Sequence, residues 1–354
     1  MTLRDIIGRS VRGKSGREYF GLEAYASNLN VTDKKALLKG KCEKGKVFIK
    51  YVREGSSERS FHLYRDMQKD AHPNIVPMLD MIQFQGNTFA VYPFLSYIQD
   101  VEFSKNLAEI YSGKRNNNRF STSRTKHPHE TIGELSALAL TQFLIDVAQY
   151  LRRKNVIETD IRPQNIIVCF DGVHPILNLC DLEGLLPGKV EKESNLLTML
   201  DEEKQNYFFT NQYGAPELFY SQLPNDEVPI TEKVMVYAIG RVLAAAFYSH
   251  SRIIERSKIK EALKQGGDIQ DSSLLQVEDF WRENGIMTAG DILFNEFVPE
   301  RFRKLIAGGV ETNPEHRYNL AEFSHKFRGV KASYDPERYK TYHRQGFKLF
   351  DHAG

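Results

Sequence analysis

A short polar segment, residues 160–165 with the sequence DIRPQN, carries a carboxylate, a guanidinium and an amide. A second carboxylate, Asp181, ends an apolar run further along the chain. A loop that orients a hydroxyl nucleophile and holds Mg²⁺ beside a nucleotide needs such groups, because one carboxylate accepts the hydroxyl proton while an amide oxygen and another carboxylate bind the metal. Taken alone, however, Asp160 and Asn165 at this spacing are more typical of a capped turn.

The elements around this segment are predicted to hold it in place. Residues 135–154 form the strongest helix of the sequence, since apolar residues recur at spacings of 4, 3 and 4 from Leu140 to Leu151 on one face. The helix leads directly into residues 160–165, and an apolar run with the sequence IIV follows as a strand. The polar segment is therefore predicted to be a loop between a buried helix and a strand.

The N-terminal part of the chain has β-type patterning. Residues 36–42 and 46–52 flank a glycine-containing turn and predict one hairpin, while residues 81–84 and 88–92 predict a second. Residues 57–69, between the hairpins, are predicted to form a helix. The sequence thus predicts a β-rich part that precedes the helical part.

Composition excludes several function classes. The 354 residues carry a net charge of +2 and are 41% hydrophobic, which suits one large two-lobed domain or two small ones. A nearly neutral chain is not typical of a dedicated nucleic-acid-binding protein. The three cysteines are too few and too irregularly spaced for a disulfide framework or a zinc site. Without an apolar run of membrane-spanning length or a signal-peptide core, we expect a soluble cytoplasmic protein with no transmembrane segment.

Several motifs, in the correct order, resemble those of the eukaryotic protein kinases. They are VFIK at residues 47–50 for the strand motif V-A-I-K, HPNIV at residues 72–76, DIRPQN at residues 160–165 for the catalytic loop, Asp181 for the metal-binding Asp of D-F-G, TNQYGAPE at residues 210–217 for T-x-x-Y-x-A-P-E, and NPEHR at residues 313–317 for N-P-x-x-R. The T-x-x-Y-x-A-P-E match is the most specific of them.

The resemblance implies an α+β, bilobal protein-kinase-like fold, with a small antiparallel β-sheet N-lobe and a mainly helical C-lobe. The implied parts are a basic N-terminal extension at residues 1–19, the N-lobe at 20–95, the C-lobe at 96–328 with a flexible basic insert at 112–129 and an activation segment at 181–217, and a C-terminal tail at 329–354. Composition favours a solvated tail over a partner-binding arm for the extension, and a solvated loop over a docking site for the insert.

The resemblance also implies a set of site residues. Catalytic roles fall on Asp160, which positions the acceptor hydroxyl, on Arg162, and on Thr210, which bridges towards both. ATP is implied as cofactor, held by Lys50 at the phosphates and by the hinge between the lobes at Tyr92, Pro93, Phe94 and Leu95. Mg²⁺ is implied at Asn165 and Asp181.

Some positions depart from the family pattern. The predicted nucleotide-covering loop at residues 26–34 has no glycine, and Leu63 stands near the place of the helix Glu that pairs with the strand Lys. Glu158 and Thr159 replace the His and Arg before the catalytic Asp, and Met235 replaces an Asp that anchors the loop. These departures imply a slow enzyme or a non-catalytic relative.

Three functions are compatible with this pattern. The first is an ATP- and Mg²⁺-dependent Ser/Thr protein kinase. The second is a pseudokinase that acts as a nucleotide-binding scaffold or allosteric partner, and the third is a kinase-fold transferase that acts on a small molecule. The expected partner is a protein substrate or a regulatory protein, with no specific nucleic acid, and the sequence predicts no oligomeric state.

Overall fold

The structure is a computed structural model. It describes residues 3–25, 37–52, 56–94, 103–107, 134–170, 175–182, 184–188, 213–220, 230–247, 278–279, 281–283 and 286–334. Leu95, Thr210, the predicted covering loop at residues 26–34 and the predicted insert at residues 112–129 lie outside the described residues.

The N-terminal part forms a six-stranded antiparallel sheet with the strand order β1-β2-β3-β4-β6-β5. Its strands are β1 (Val11–Arg12), β2 (Glu18–Ala24), β3 (Leu37–Cys42), β4 (Gly45–Val52), β5 (Asp80–Phe84) and β6 (Asn87–Pro93). The two predicted hairpins are β3–β4 and β5–β6. Gly86 in the second turn has a φ of +81°, a conformation that glycine adopts without steric cost.

Side chains of β4 alternate between the two faces of the sheet, as a strand requires. Val47 and Ile49 are buried in the core that the sheet makes with the N-terminal segment. Phe48 and Lys50 are only partly buried, and they lie on the opposite face. This alternation directs the predicted phosphate-binding Lys50 towards the helical part of the protein.

The first residues of the chain belong to the sheet. Ile6 is fully buried, and Asp80 at the start of β5 accepts hydrogen bonds from the Ser15 amide at 3.0 Å and from the Tyr19 hydroxyl at 3.0 Å. The Ser15 hydroxyl also donates to Asp80. The interpretation of this segment as a solvated tail is therefore wrong for residues 3–19, and the predicted boundary at residue 19 falls inside β2.

The remaining elements are mainly helical, with two small sheets. The helices are α1 (Ser56–Met67), α2 (Glu134–Arg153), α3 (Pro216–Tyr220), α4 (Lys233–Phe247), α5 (Ala289–Phe294), α6 (Glu300–Gly309) and α7 (Leu320–Ala332). One small sheet has the order β10-β9-β7, and the other pairs β11 with β8. Their strands are β7 (Phe103–Asn106), β8 (Val156–Glu158), β9 (Ile166–Phe170), β10 (Pro175–Leu179) and β11 (Leu185–Pro187).

The core of the helical part lies around α4. Every residue of this helix from Val234 to Phe247 is buried, and α2, α6 and α7 pack against it. Glu217 at the start of α3 forms a buried two-pronged ion pair with Arg317, at 2.5 and 3.0 Å. This pair ties the start of α3 to the segment between α6 and α7.

The predicted fold class is confirmed, because an N-terminal antiparallel sheet precedes a mainly helical part. At the C-terminal end α7 continues to Ala332, beyond the predicted boundary at residue 328, and the Tyr334 hydroxyl donates to Glu134 at the start of α2. Among the described residues, no helix is long and apolar enough to cross a membrane.

Candidate active site

The loop between β8 and β9 brings together three of the predicted site residues. Pro163 begins a short 3-10 turn, Pro163–Asn165, where its fixed φ suits the first helical position. The turn carries Asn165 back onto Asp160, so that the Asn165 amide nitrogen donates to the carbonyl oxygen of Asp160 at 3.0 Å and to its Oδ2 at 3.1 Å. Both side chains are buried, and the amide therefore fixes the direction of the carboxylate.

Arg162 places a cation beside this carboxylate. Its Nε lies 3.1 Å from Oδ2 of Asp160, and 28% of its side chain is exposed. A charged group that is partly exposed and held next to a carboxylate can still contact an anionic ligand at the surface of the loop. The structure thus brings Asp160, Arg162 and Asn165 into one cluster.

Lys50 and Asp181 connect the sheet to the helical part. The Lys50 ammonium contacts Oδ1 of Asp181, which follows strand β10. The Lys50 side chain is 16% exposed and that of Asp181 is 34% exposed, so the pair lies at the edge of a space that solvent can reach. A cation and a carboxylate from opposite sides of the molecule therefore meet at one point.

Asp181 has an unusual backbone conformation. Its φ is +61°, in the left-handed region that residues other than glycine rarely adopt and that is found disproportionately at functional sites. Just before it, the Cys180 amide donates to the Asn165 carbonyl oxygen at 2.8 Å. This hydrogen bond holds Asp181 next to the loop of Asp160 and Asn165, although the two segments come from different strands.

Comparison with known proteins shows the family of this site. The model of the protein kinase domain family matches residues 38–327, which is most of the chain. The chain belongs to the protein kinase family. The match includes strand β4, residues 160–165, Asp181 and Arg317.

Curated relatives of this kinase domain have low identity to it. They include the serine/threonine-protein kinase atg1 of Dictyostelium discoideum, 26% identical over 117 residues, or 33% of this chain and 15% of the relative. The serine/threonine-protein kinase chk-2 of Caenorhabditis elegans is 27% identical over 181 residues, or 51% of this chain and 31% of the relative. A putative ribosomal protein S6 kinase alpha-2 of the same organism is 24% identical over 209 residues, or 58% of this chain and 25% of the relative. The chain thus spans less than a third of the length of each of these relatives.

The loop at residues 160–165 is supported by residues outside the family pattern. Oε1 of buried Glu158 accepts a hydrogen bond from the Asp160 amide at 2.8 Å. The Thr159 hydroxyl donates to the Gly184 carbonyl oxygen at 2.9 Å, and the Thr159 amide donates to the same atom at 3.2 Å. Met235, in place of the anchoring Asp, is fully buried in the core. The loop therefore has other supports in place of the missing ones.

Gly184 is required at its position by these contacts. A Cβ atom there would overlap Oε1 of Glu158 and would lie 2.7 Å from the Thr159 hydroxyl and 3.0 Å from the Asp160 amide. Sequence reasoning missed the contact of this glycine with the loop. The replacement of the family His by Glu158 was the signal for that contact.

Helix α1 contacts the start of the activation region. The buried Ser60 hydroxyl donates to the Leu185 carbonyl oxygen of β11 at 3.0 Å. Leu63, near the place of the family Glu, is partly buried against the main core. Tyr64 stacks on Tyr92 with ring centroids 6.3 Å apart and ring planes 22° apart. Sequence reasoning missed the roles of Ser60 and Tyr64, since neither residue belongs to a recognised motif.

Three of the four predicted hinge residues are described. Tyr92 and Pro93 end β6, and the Phe94 amide donates to the Lys46 carbonyl oxygen at 3.3 Å. Leu95, which was predicted to offer its amide to a base, and Thr210, which was predicted to bridge towards Asp160, lie outside the described residues.

Cys180 lies between the catalytic cluster and the sheet. Its thiol donates to the Asn165 carbonyl oxygen at 3.3 Å, and burial raises its pKa to about 12. The neighbouring Asp181 carboxylate adds to this increase. Because the thiolate is the reactive form, this increase lowers the reactivity of the Cys180 thiol.

Proposed function

We propose that the chain is a protein kinase that uses ATP and Mg²⁺ to transfer the γ-phosphate to a serine or threonine of a protein substrate. The observation that carries the proposal is the meeting of Lys50 with Asp181 beside the loop of Asp160 and Asn165. Phosphoryl transfer needs a cation for the phosphates, metal ligands and a carboxylate that orients the hydroxyl, and these side chains supply all three. The two relatives named as serine/threonine-protein kinases support a serine or threonine acceptor.

Asn165 and Asp181 are the proposed metal ligands. Because the Asn165 amide nitrogen donates to two oxygens of Asp160, the amide oxygen is the atom that it can offer to an ion. The Asp181 carboxylate is 34% exposed and can be reached from the cleft. Oxygen donors of this kind suit Mg²⁺, so the residues fit the ion. When bound, the ion would neutralise charge on the phosphates.

The proposed roles of the other side chains follow from the same contacts. Asp160, held through Oδ2 by Asn165 and Arg162, orients the acceptor hydroxyl and takes its proton. Arg162 and Lys50 place positive charge on the two sides of the transferring phosphate. Thr210 is proposed to steady Asp160, by resemblance alone.

The other parts of the proposal rest on composition and resemblance. The base of ATP is proposed to lie at the hinge formed by Tyr92, Pro93, Phe94 and Leu95. The division into N-lobe and C-lobe, the cytoplasmic location and a protein substrate or regulatory partner are proposed on the same grounds. Turnover is expected to be slow, because the covering loop at residues 26–34 has no glycine whose backbone amides could close on phosphate.

The second candidate is a pseudokinase that binds nucleotide without transferring phosphate. The absence of glycine from residues 26–34 favours it, since that loop normally covers the phosphates. The two candidates share the fold and differ only in chemistry, so a transfer assay separates them.

The test is transfer of labelled γ-phosphate from Mg²⁺-ATP to the protein itself and to generic basic and acidic protein substrates. Phosphate incorporation that Asp160→Asn abolishes is the expected result. Equal labelling by the parent and by Asp160→Asn contradicts the catalytic assignment. Thermal stabilisation by ATP that needs Mg²⁺, without labelling of any substrate, indicates the pseudokinase, because a ligand that binds the folded state raises its stability.

A further inference from the structure

The cleft face of β4 carries an aromatic ring next to Lys50. Phe48 and Lys50 are two residues apart, so they point to the same face with their Cα atoms about 7 Å apart. In the strand register Lys50 pairs with Ala90, and Phe48 pairs with Tyr92 just before the hinge. Because Lys50 reaches Asp181 on this face, Phe48 lies on the same side and closer to the hinge.

Two further rings meet Phe48 from different segments. Tyr25, the last described residue before the covering loop, packs edge-on against Phe48 with centroids 5.2 Å apart and planes 90° apart. Tyr25 also contacts Phe94 of the hinge, with centroids 6.3 Å apart. Both distances fall in the range that aromatic pairs prefer. We call Tyr25, Phe48 and Phe94 the aromatic cap.

The position of the aromatic cap coincides with the place required for a base. A nucleotide whose phosphates lie at Lys50 and Asp181 must extend its base away from them, and the hinge is the proposed contact for that base. The three rings come from three segments: Phe48 from β4, Phe94 from the hinge and Tyr25 from the residue that directly follows β2.

The spacing of the rings leaves no room for a base between them. A planar base inserted between two rings needs contact distances of about 3.5 Å on each side, which separates their centres by about 7 Å. Tyr25 and Phe48 are 5.2 Å apart and perpendicular, so they contact each other directly.

We propose that the aromatic cap closes the base end of the cleft and that Phe48 determines which nucleotides bind. This inference rests on the proposed function, since it presumes that Lys50 and Asp181 receive phosphates. In this form the cleft accepts the Mg²⁺-triphosphate group of a ligand, and a purine base enters only when the contact between Tyr25 and Phe48 opens. The parent protein therefore gains little affinity from the base, whereas removal of the Phe48 ring creates the missing space.

The test compares two ligands on the full chain by calorimetry: Mg²⁺-ATP, and inorganic tripolyphosphate with Mg²⁺. We expect the parent to bind both with Kd values within about threefold of each other. Phe48→Ala should bind ATP about tenfold more tightly than the parent and leave the Kd for tripolyphosphate unchanged. Tyr25→Ala should act in the same direction, and because Tyr25 is 45% exposed this variant costs little stability. Phe20→Ala, which removes an exposed ring of β2 outside the cap, is the matched control and should change neither Kd.

Three other outcomes separate the aromatic cap from the proposed function. If the parent binds ATP far more tightly than tripolyphosphate and Phe48→Ala weakens ATP alone, the ring is a stacking surface for the base. If ATP binds to Phe48→Ala but the parent binds tripolyphosphate alone, the cap is supported and ATP use by the parent is contradicted. If neither ligand binds to any variant, the phosphate site fails, and with it both the proposed function and the cap.

Discussion

At the phosphate end of the cleft, Glu158 and Thr159 stand in place of family residues, yet they contact Asp160 and Gly184 through hydrogen bonds of 2.8 and 2.9 Å. At the base end, Phe48 stands in the V-A-I-K motif in place of a small residue, and its ring packs against another ring at 5.2 Å. Changes at the first end are compensated by new contacts, whereas the change at the second end fills space. The charged groups at the phosphate end therefore keep contacts that hold them in place, whereas the base end has less space for a ligand.

The largest expected effect is a loss of phosphate transfer at the phosphate end of the cleft, with no change in the fold. Asp160→Asn keeps the shape of the side chain but removes the carboxylate that orients the hydroxyl, so phosphate transfer should fall about 10²–10⁴-fold. The melting temperature and the Kd for Mg²⁺-tripolyphosphate should stay close to those of the parent. Transfer rates and calorimetry on the same preparations check both statements.

Asp181→Asn is the matched comparison for that experiment. It should weaken the binding of Mg²⁺-tripolyphosphate, because a proposed metal ligand is lost, whereas Asp160→Asn should not. Equal loss of binding in both variants would mean that Asp160 holds the phosphate group and does not act on the hydroxyl.

A second experiment tests whether the substitute contacts support the catalytic loop. Gly184→Ala forces a Cβ atom onto the Glu158 carboxylate, so we expect a loss of about 1–3 kcal/mol in the free energy of unfolding and a fall in transfer rate. Gly329→Ala is the control, because nothing lies within 4 Å of its added Cβ in helix α7. Alanine in a helix interior should stabilise the protein by about 0.5–1 kcal/mol. Urea unfolding of both variants provides the measurement, and equal effects would show that Gly184 does not support the loop.

Local patterns predicted the elements that carry most of this site. The helix before the catalytic loop, both hairpins and the strand of Lys50 follow from apolar periodicity and glycine turns, which operate over a few residues. The family motifs then placed Asp160, Asn165 and Asp181, because their order along the chain is fixed by the fold.

The contacts that sequence reasoning missed join distant segments. Ser15 meets Asp80 across 65 residues, and Ser60 meets Leu185 across 125 residues. No periodicity links such positions, and a single serine gives no local signal of its partner. The sequence predicts a tail at the N-terminus for the same reason. Arginines and lysines dominate its composition, and only a few apolar side chains, such as Ile6 and Tyr19, pack it into the core.

A third experiment concerns the sheet end alone. Burial by itself would raise the pKa of Asp80, but hydrogen bonds from Ser15, from the Met81 amide and from Tyr19 offset this, and its pKa is lowered from 3.8. A lowered folded-state pKa stabilises the protein above the unfolded value, and this contribution is lost as the pH falls through the folded value. Asp80→Asn should therefore cost about 1–3 kcal/mol at neutral pH, and the difference from the parent should shrink below pH 3.8.

Urea midpoints measured from about pH 6 to about pH 3 test this dependence. Asp66→Asn is the control. The Asp66 side chain is 65% exposed, and its 3.7 Å contact with Arg65 is a surface ion pair that contributes little to stability. If the difference in urea midpoint between the parent and Asp80→Asn stays constant with pH, the charge of the Asp80 carboxylate does not hold the N-terminal segment in place.

The smallest expected effect concerns helix α1, which spans the distance between the two ends of the cleft. Ser60→Ala removes the hydrogen bond to the Leu185 carbonyl oxygen, so we expect a loss of about 0.5–1.5 kcal/mol and a modest fall in transfer rate, because α1 also positions Tyr64 against Tyr92. Ser333→Ala is the matched control: its hydroxyl also donates to a backbone carbonyl, that of Val330, but it is exposed, and water can replace the bond at almost no cost. If Ser60→Ala lowers the Kd for ATP and leaves that for tripolyphosphate unchanged, α1 acts on the base end through Tyr92. If it slows transfer without a change in either Kd, α1 acts on the phosphate end through β11, and the two ends of the cleft are supported independently.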